Sequence, residues 1–159
     1  MRAQAKTGRP LSLITVMTCQ DAGVLIELLK SAAKGSRRHM PAGIRDEADL
    51  RAAMAGGLAF LAAYRTPVGG RSAPVGAIAY RWDHGALRIQ HVAVREEARG
   101  GGVARRMVEA VENVATALGA PRIAASAGTT AGDQAFLERL GYEGYGSGER
   151  VPMTKPLES

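Results

Sequence analysis

A chain of 159 residues with 46 % hydrophobic and 23 % charged side chains has the length and composition of one globular domain, which excludes a wholly disordered chain. The net charge of +6 and a pI near 10.0 describe a basic surface that attracts anions. Only 4 % of residues are aromatic and no helix-turn-helix or zinc-finger spacing occurs, so nucleic acid is the less favoured partner. One cysteine, Cys19, excludes an internal disulfide framework, cannot by itself build a thiolate metal site, and fits a reducing cytoplasm.

Residues 1–10 carry Arg2, Lys6, Arg9, Gly8 and Pro10 without periodicity and read as a flexible tail. "LSLITVM" (11–17) has the β-branched, apolar character of a strand; it is too short for a signal sequence, carries Ser12 and Thr15, and no cleavage site follows it. No stretch reaches the roughly 18–20 apolar residues needed to span a bilayer, so no membrane partner is expected. Thr18 and Asp21 stand in capping-box spacing ahead of a helix through Lys34. "GSRRHMPAG" (35–43) reads as a basic loop and "IRDEADLRAAMA" (44–55) as a shorter helix. Three strands follow, 58–65, 74–82 and 86–94, separated by the turn signals "TPVGGRSA" and "DHG". Short loops between successive strands imply an antiparallel meander. Val103, Met107, Val111, Val114 and Leu118 recur at helical spacing from Gly102 to Leu118, and Gly119 supplies the stop. A strand over 121–127, a helix over 132–140 and a strand over 151–157 complete the chain. Pro152 and Pro156 suit that last strand to an edge, or to bends at its ends. The order implies an α/β (α+β) domain over residues 11–159 around one sheet.

"RGGGVARR" (99–106) lies between an apolar strand and an amphipathic helix. Glycines free the backbone to take positive φ and let a ligand approach its N–H groups; where such a loop feeds a helix, unpaired donors and the helix dipole converge on an anion. A simple flexible turn is the other reading. Arg99, Arg105 and Arg106 favour the anion, because cations at a helix start are unfavourable unless something negative relieves them. The loop lacks the Lys-Ser/Thr of a P-loop and the third glycine of a dinucleotide fingerprint.

Arg99-x-x-Gly102-x-Ala104 resembles the (Gln/Arg)-x-x-Gly-x-(Gly/Ala) signature of the GNAT superfamily of acyl-CoA-dependent N-acetyltransferases. "RIQHVAVREEARGGGVARRMVEAV" resembles that family's fourth strand, loop and third helix. "MTCQDA", "AFLERLGY" and "VPMTKPL" resemble its opening, its late helix and its closing strand, so the likeness covers nearly everything after residue 10. The resemblance implies a mixed, mostly antiparallel sheet of about six strands with about four helices, acetyl-CoA as co-substrate, and acetyl transfer to an amine by direct attack in a ternary complex. A non-catalytic acyl-CoA-binding relative is the alternative.

By the same resemblance, Val92, Ala93 and Val94 hold the pantetheine arm, with the Val92 N–H polarising the thioester carbonyl. Arg99, Gly100, Gly101, Gly102, Val103, Ala104 and Arg105 take the pyrophosphate. Leu87 and Ile89 are apolar on one parity of the strand and Val92 and Val94 on the other, as one extra residue near His91 would produce; a strand buried on both faces would read the same. Gln90 and His91 are the candidate catalytic residues, and only His91 titrates near neutrality; a hydrogen-bonded core histidine is the other reading. By simple alternation His91 points away from Arg88 unless the bulge turns it. The position of the family's acidic tyrosine falls at Leu137, which has no proton to give; Tyr80, Tyr142 and Tyr145 lie elsewhere. Arg37, Arg38 and Arg88 suit an acceptor, small molecule or protein amine, that carries an acidic group; a solvated basic loop is the other reading. The family also implies a possible homodimer, for which the Gly-rich "GYEGYGSGERVPM" is a candidate contact; a free surface loop is the equal alternative.

Overall fold

The apolar runs become strands and the 3.6-period stripes become helices, in the order that the sequence predicts. The computed structural model describes residues 11–34, 40–65, 74–127, 131–144 and 151–157. Strand β1 (Leu11–Met17) runs into Thr18, whose hydroxyl accepts from the Gln20 N–H at 3.3 Å while the Asp21 carboxylate accepts from the Thr18 N–H at 2.8 Å. This box caps a 3-10 turn (Cys19–Asp21) that leads into α1 (Ala22–Ala33). Helix α2 (Glu47–Ala55) starts later than the 44–55 read from the sequence. Its N-cap is Asp46, which accepts from the Asp49 N–H, and Glu47 and Asp49 face the positive end of the dipole.

Strands β2 (Ala59–Arg65), β3 (Pro74–Asp83) and β4 (Ala86–Val94) form the meander. His84 and Gly85 both take positive φ, 52° and 79°, in the two-residue turn between β3 and β4. Helix α3 (Val103–Ala117), strand β5 (Arg122–Ala127), helix α4 (Ala131–Arg139), and strands β6 (Glu143–Gly144) and β7 (Val151–Pro156) follow.

The sheet has seven strands, ordered β1-β2-β3-β4-β5-β7-β6, one more than the sequence predicts. The extra one, β6, is two residues long, and a pair that short has no alternation for a sequence to display. It also moves β7 off the edge. Glu143 and Gly144 pair only with Thr154 and Met153, between the two prolines. Leu157 N–H donates to Pro121 O on the β5 side, so alternation turns the nitrogens of Pro156 and Pro152 away from β5, where no ladder bond is lost.

Two cores lie on opposite faces. Leu25, Leu28 and Leu29 of α1 and Leu50 of α2 pack on Phe60, Ala62, Ala77, Ala79 and Ala93. On the other face Val103, Met107, Val108 and Val111 of α3, with Leu137 of α4, pack on Leu61, Ile78, Tyr80, Leu87, Ile89 and Ile123. Alanines line the sheet under α1, so the helix sits close, and a truncation such as Leu25→Ala costs about 2–5 kcal/mol. Among the described residues, no helix is long and apolar enough to cross a membrane.

Candidate active site

Strand β4 carries one residue too many for its neighbour. Tyr80 pairs with Ile89 and Ala79 with His91, so Gln90 is the bulged residue. The extra residue puts Leu87, Ile89, Val92 and Val94 all on the α3 face, the slip that the apolar pattern hints at, and turns His91 onto the α1 face with Ala93. Arg88 faces the same way as His91. The bulge therefore supplies the turn that brings His91 round to Arg88.

The same residue opens the sheet. β4 and β5 run parallel and pair only through Leu87↔Ile123, Arg88↔Ala124 and Ile89↔Ala125, while both strands continue. From Gln90 onward they part as a V. The polar groups along its β4 edge follow from the ladder on the other side. Arg95 N–H donates to Val75 O, and the Ala93 carbonyl lies 3.0 Å from a Cβ built on Gly76, so both point toward β3. Alternation then aims the N–H groups of Val92 and Val94 into the V. Ala93, one of the predicted cofactor residues, gives its side chain to the α1 core and its carbonyl to the β3 side.

At the open end of the V lies the glycine loop. Gly100 and Gly102 take φ of +83° and +82°, a region costly to residues with a Cβ, so glycine suits both positions. Gly102 is the N-cap of α3 and caps it with no side chain; the first helical donor is the Arg106 N–H, onto Gly102 O. The N–H groups of Val103, Ala104 and Arg105 are thus the orphan donors of a 15-residue helix. A Cβ on Gly100 or Gly102 would meet nothing within 4 Å, so the space above the loop is open to a ligand. Donor geometry and open space together fit a diphosphate.

The arginines sort differently from the sequence expectation. Arg99 does not crowd the start of α3: its Nε donates to Val94 O at 3.0 Å and a terminal nitrogen to Ala32 O at 2.8 Å. Its charge sits at the C-terminal end of α1, where the dipole favours it. Arg95, which sequence reasoning passed over, donates to Pro74 O and to Ser31 Oγ, each at 2.9 Å. The two side chains fasten the end of β4 to α1. Arg105 is exposed and pairs with Glu109 at 3.2 Å.

Of the candidate catalytic side chains, Gln90 is exposed at the bulge and His91 is half-buried. Leu137 is 7 % exposed in the α3-side core. Tyr142 is not a substitute acid. Its hydroxyl donates to Glu112 Oε2 at 2.9 Å, and Lys155 Nζ stands 3.3 Å from both Glu112 oxygens. Burial, followed by the Glu112 charge and hydrogen bond, pushes the Tyr142 hydroxyl far above the ordinary tyrosine range. Burial also raises Tyr80, whose ring lies in the α3-side core. His84 is exposed in its hairpin turn beside Asp83. Arg37, Arg38, His39 and Tyr145 lie outside the described residues.

Residues 26–142, more than half of the chain, match the profile of the Acetyltransferase (GNAT) family. The chain belongs to the GNAT acetyltransferase family. Solved structures share the GNAT fold with it. PaiA N-acetyltransferase from Thermoplasma acidophilum, in complex with coenzyme A, superposes with a TM-score of 0.70 at 14 % identity, covering 91 % of this chain and 99 % of that one. A GNAT phosphinothricin acetyltransferase from Sinorhizobium meliloti, in complex with acetyl-CoA, gives 0.71 at 18 %, over 91 % and 88 %. The ribosomal-protein-S18-alanine N-acetyltransferase from Escherichia coli gives 0.70 at 12 %, over 92 % and 96 %. At such identities the likeness is one of fold. No curated protein matches the sequence.

Proposed function

We propose that residues 11–159 form a single GNAT domain that transfers the acetyl group of acetyl-CoA to an amine, by direct attack in a ternary complex. The observation that carries this reading is the V between β4 and β5, with the Val92 and Val94 N–H groups along one edge and the uncapped start of α3 at its open end. Acetyl-CoA supplies an acyl group activated as a thioester. Val92 and Val94 are assigned to the pantetheine arm, and the N–H groups of Gly100 through Arg105 to the diphosphate. The Val92 N–H, fixed by the β3 ladder, is a preorganised donor for negative charge on the acyl oxygen. Arg99 contributes through the backbone that it holds in place.

His91 is assigned as the base that takes the proton of the acceptor ammonium, directly or through water, from the α1 face of the bulge. Gln90, exposed at the bulge, is assigned to contact the acceptor. With Leu137 in the core and Tyr142 held by Glu112, the leaving thiolate takes its proton from water. One exposed cysteine in the chain suits a reducing cytoplasm.

The apolar Leu137 also favours a second reading, a protein that binds acyl-CoA without turning it over. Calorimetric titration with acetyl-CoA, followed by thiol release in an amine screen, separates the two. Saturable binding with release that falls roughly a hundredfold in His91→Ala supports the enzyme. Binding without release for any amine favours the second reading, and no binding to folded protein sinks both.

A further inference from the structure

On the α1 face of the sheet, apolar packing stops near the β3–β4 turn. Ala77 and Ala79 lie beneath α1, and alternation puts Arg81 next in that row. Arg81 pairs with Arg88, so two arginines stand directly opposite each other on one face, a like-charge pair that is unfavourable unless an anion neutralises it. One carboxylate does so in part: Arg88 Nε donates to Asp83 Oδ2 at 3.3 Å, leaving the terminal nitrogens of Arg88 as donors. Among the described residues half-buried Arg81 has no ion-pair or hydrogen-bond partner.

The neighbouring strands do not restore the balance. Beside Arg88, β5 offers Ala124 and β7 offers Thr154, and Arg122 is exposed on the same face two residues before Ala124. The next carboxylate along the row is Glu143 on β6, three strands from Arg88 and so about 14 Å away. Within the described sheet, three arginines therefore share one nearby carboxylate. The row ends where the chemistry begins. The V opens just past Ile89, and His91, on the same face, lies roughly 10 Å along the strand from Arg88.

We propose that Arg81 and Arg88 read an anionic group, carboxylate or phosphate, that the acceptor carries within roughly 10 Å of its reacting amine. Asp83 holds Arg88 by its Nε and so presents the terminal nitrogens as a fork. This assignment rests on the acetyltransferase reading and names the substrate class of that site.

The test uses amines in matched pairs: phenethylamine with phenylalanine, butylamine with 4-aminobutyrate, and ethanolamine with O-phosphoethanolamine. Thiol release from acetyl-CoA is measured for each, and each is titrated into the CoA-saturated protein. The acidic member is expected to win by roughly tenfold or more in kcat/KM, through KM. Arg81→Gln and Arg88→Gln bring the acidic-to-neutral ratio toward one, and Arg88→Lys, which keeps the charge but loses the fork, recovers only part of it. Arg81→Lys serves if Arg81→Gln does not fold. The carboxylate and phosphate pairs tell which anion is read. Equal use and equal binding of acidic and neutral members, with acetyl-CoA binding intact, overturn the assignment. Failure of acetyl-CoA itself to bind overturns the underlying reading instead.

Discussion

Gly102 permits a test in which stability and binding move in opposite directions. It takes φ +82° and ψ 10° as the N-cap of α3, and a Cβ there meets nothing within 4 Å. Any L side chain pays for the left-handed backbone and for nothing else, about 1–2 kcal/mol, so Gly102→Ala is expected to melt about 2–8 °C below the parent. Gly102→Glu pays the same backbone cost, yet its carboxylate faces the positive end of α3 and regains about 0.3–1 kcal/mol. It should therefore melt at or above the alanine variant. Acetyl-CoA should behave in the reverse order. A carboxylate about 4 Å from a bound diphosphate repels it by about 1 kcal/mol at the dielectric of water and about 4 kcal/mol at the effective value of a protein surface. That is roughly fivefold to several-hundredfold in Kd relative to Gly102→Ala, shrinking as salt rises. Thermal melts and calorimetric titrations at two ionic strengths read both effects. Equal Kd values for the two variants would place the diphosphate elsewhere and refute the site; an unshifted melt in Gly102→Ala would refute the left-handed conformation.

Arg99→Met removes two donors that tie the loop to Val94 O and Ala32 O, so acetyl-CoA affinity should fall by roughly tenfold or more through the backbone that they hold in place. Arg99→Lys should not restore it, because an ammonium lacks the fork that spans both carbonyls; full affinity in either variant would show that the loop is held by other contacts. Gly76→Ala places a Cβ 3.0 Å from Ala93 O and Met107 Cε and 3.1 Å from Val103 Cγ1, beneath the first turn of α3. The overpacking should cost about 1–3 kcal/mol in urea unfolding, and an unchanged midpoint would mean that the helix start gives way freely. Tyr142 has its folded pKa raised, so below the unfolded value of about 10 its contribution to stability is complete, and it is lost as pH climbs above that value. The parent should lose stability more steeply than Tyr142→Phe between about pH 9.5 and 11.5, and parallel curves in urea titrations across that range would contradict the burial of the hydroxyl.

Much of this arrangement was legible from neighbours in sequence. The Thr18–Asp21 box, the glycine stop after α3 and the "DHG" turn are contacts between residues a few positions apart, so composition and spacing report them directly. The slip in apolar parity between Ile89 and Val92 hinted at the bulge for the same reason: one strand's own pattern records which face each residue takes. What the parity left open was whether the strand was bulged or simply buried on both faces. Only the pairing of Tyr80 with Ile89 and Ala79 with His91 resolves it, since a bulge is a property of two strands.

Partner choice was the illegible part. Arg99 reads as a phosphate ligand in its motif, yet its hydrogen bonds go to Val94 and to Ala32, 67 positions away. Arg95 has no motif at all, and Tyr142 joins Glu112 and Lys155 from α3 and β7. The row of Arg81 and Arg88 exists because a hairpin register sets them opposite each other. The sequence by itself determined the elements other than β6, the family and the glycine loop at the start of α3, because local periodicity and backbone freedom are written in consecutive residues. The tertiary structure alone decided where the sheet splits, which arginines hold the protein together and which remain for a ligand, because long side chains reach across elements to whatever donor or acceptor the packed sheet brings near.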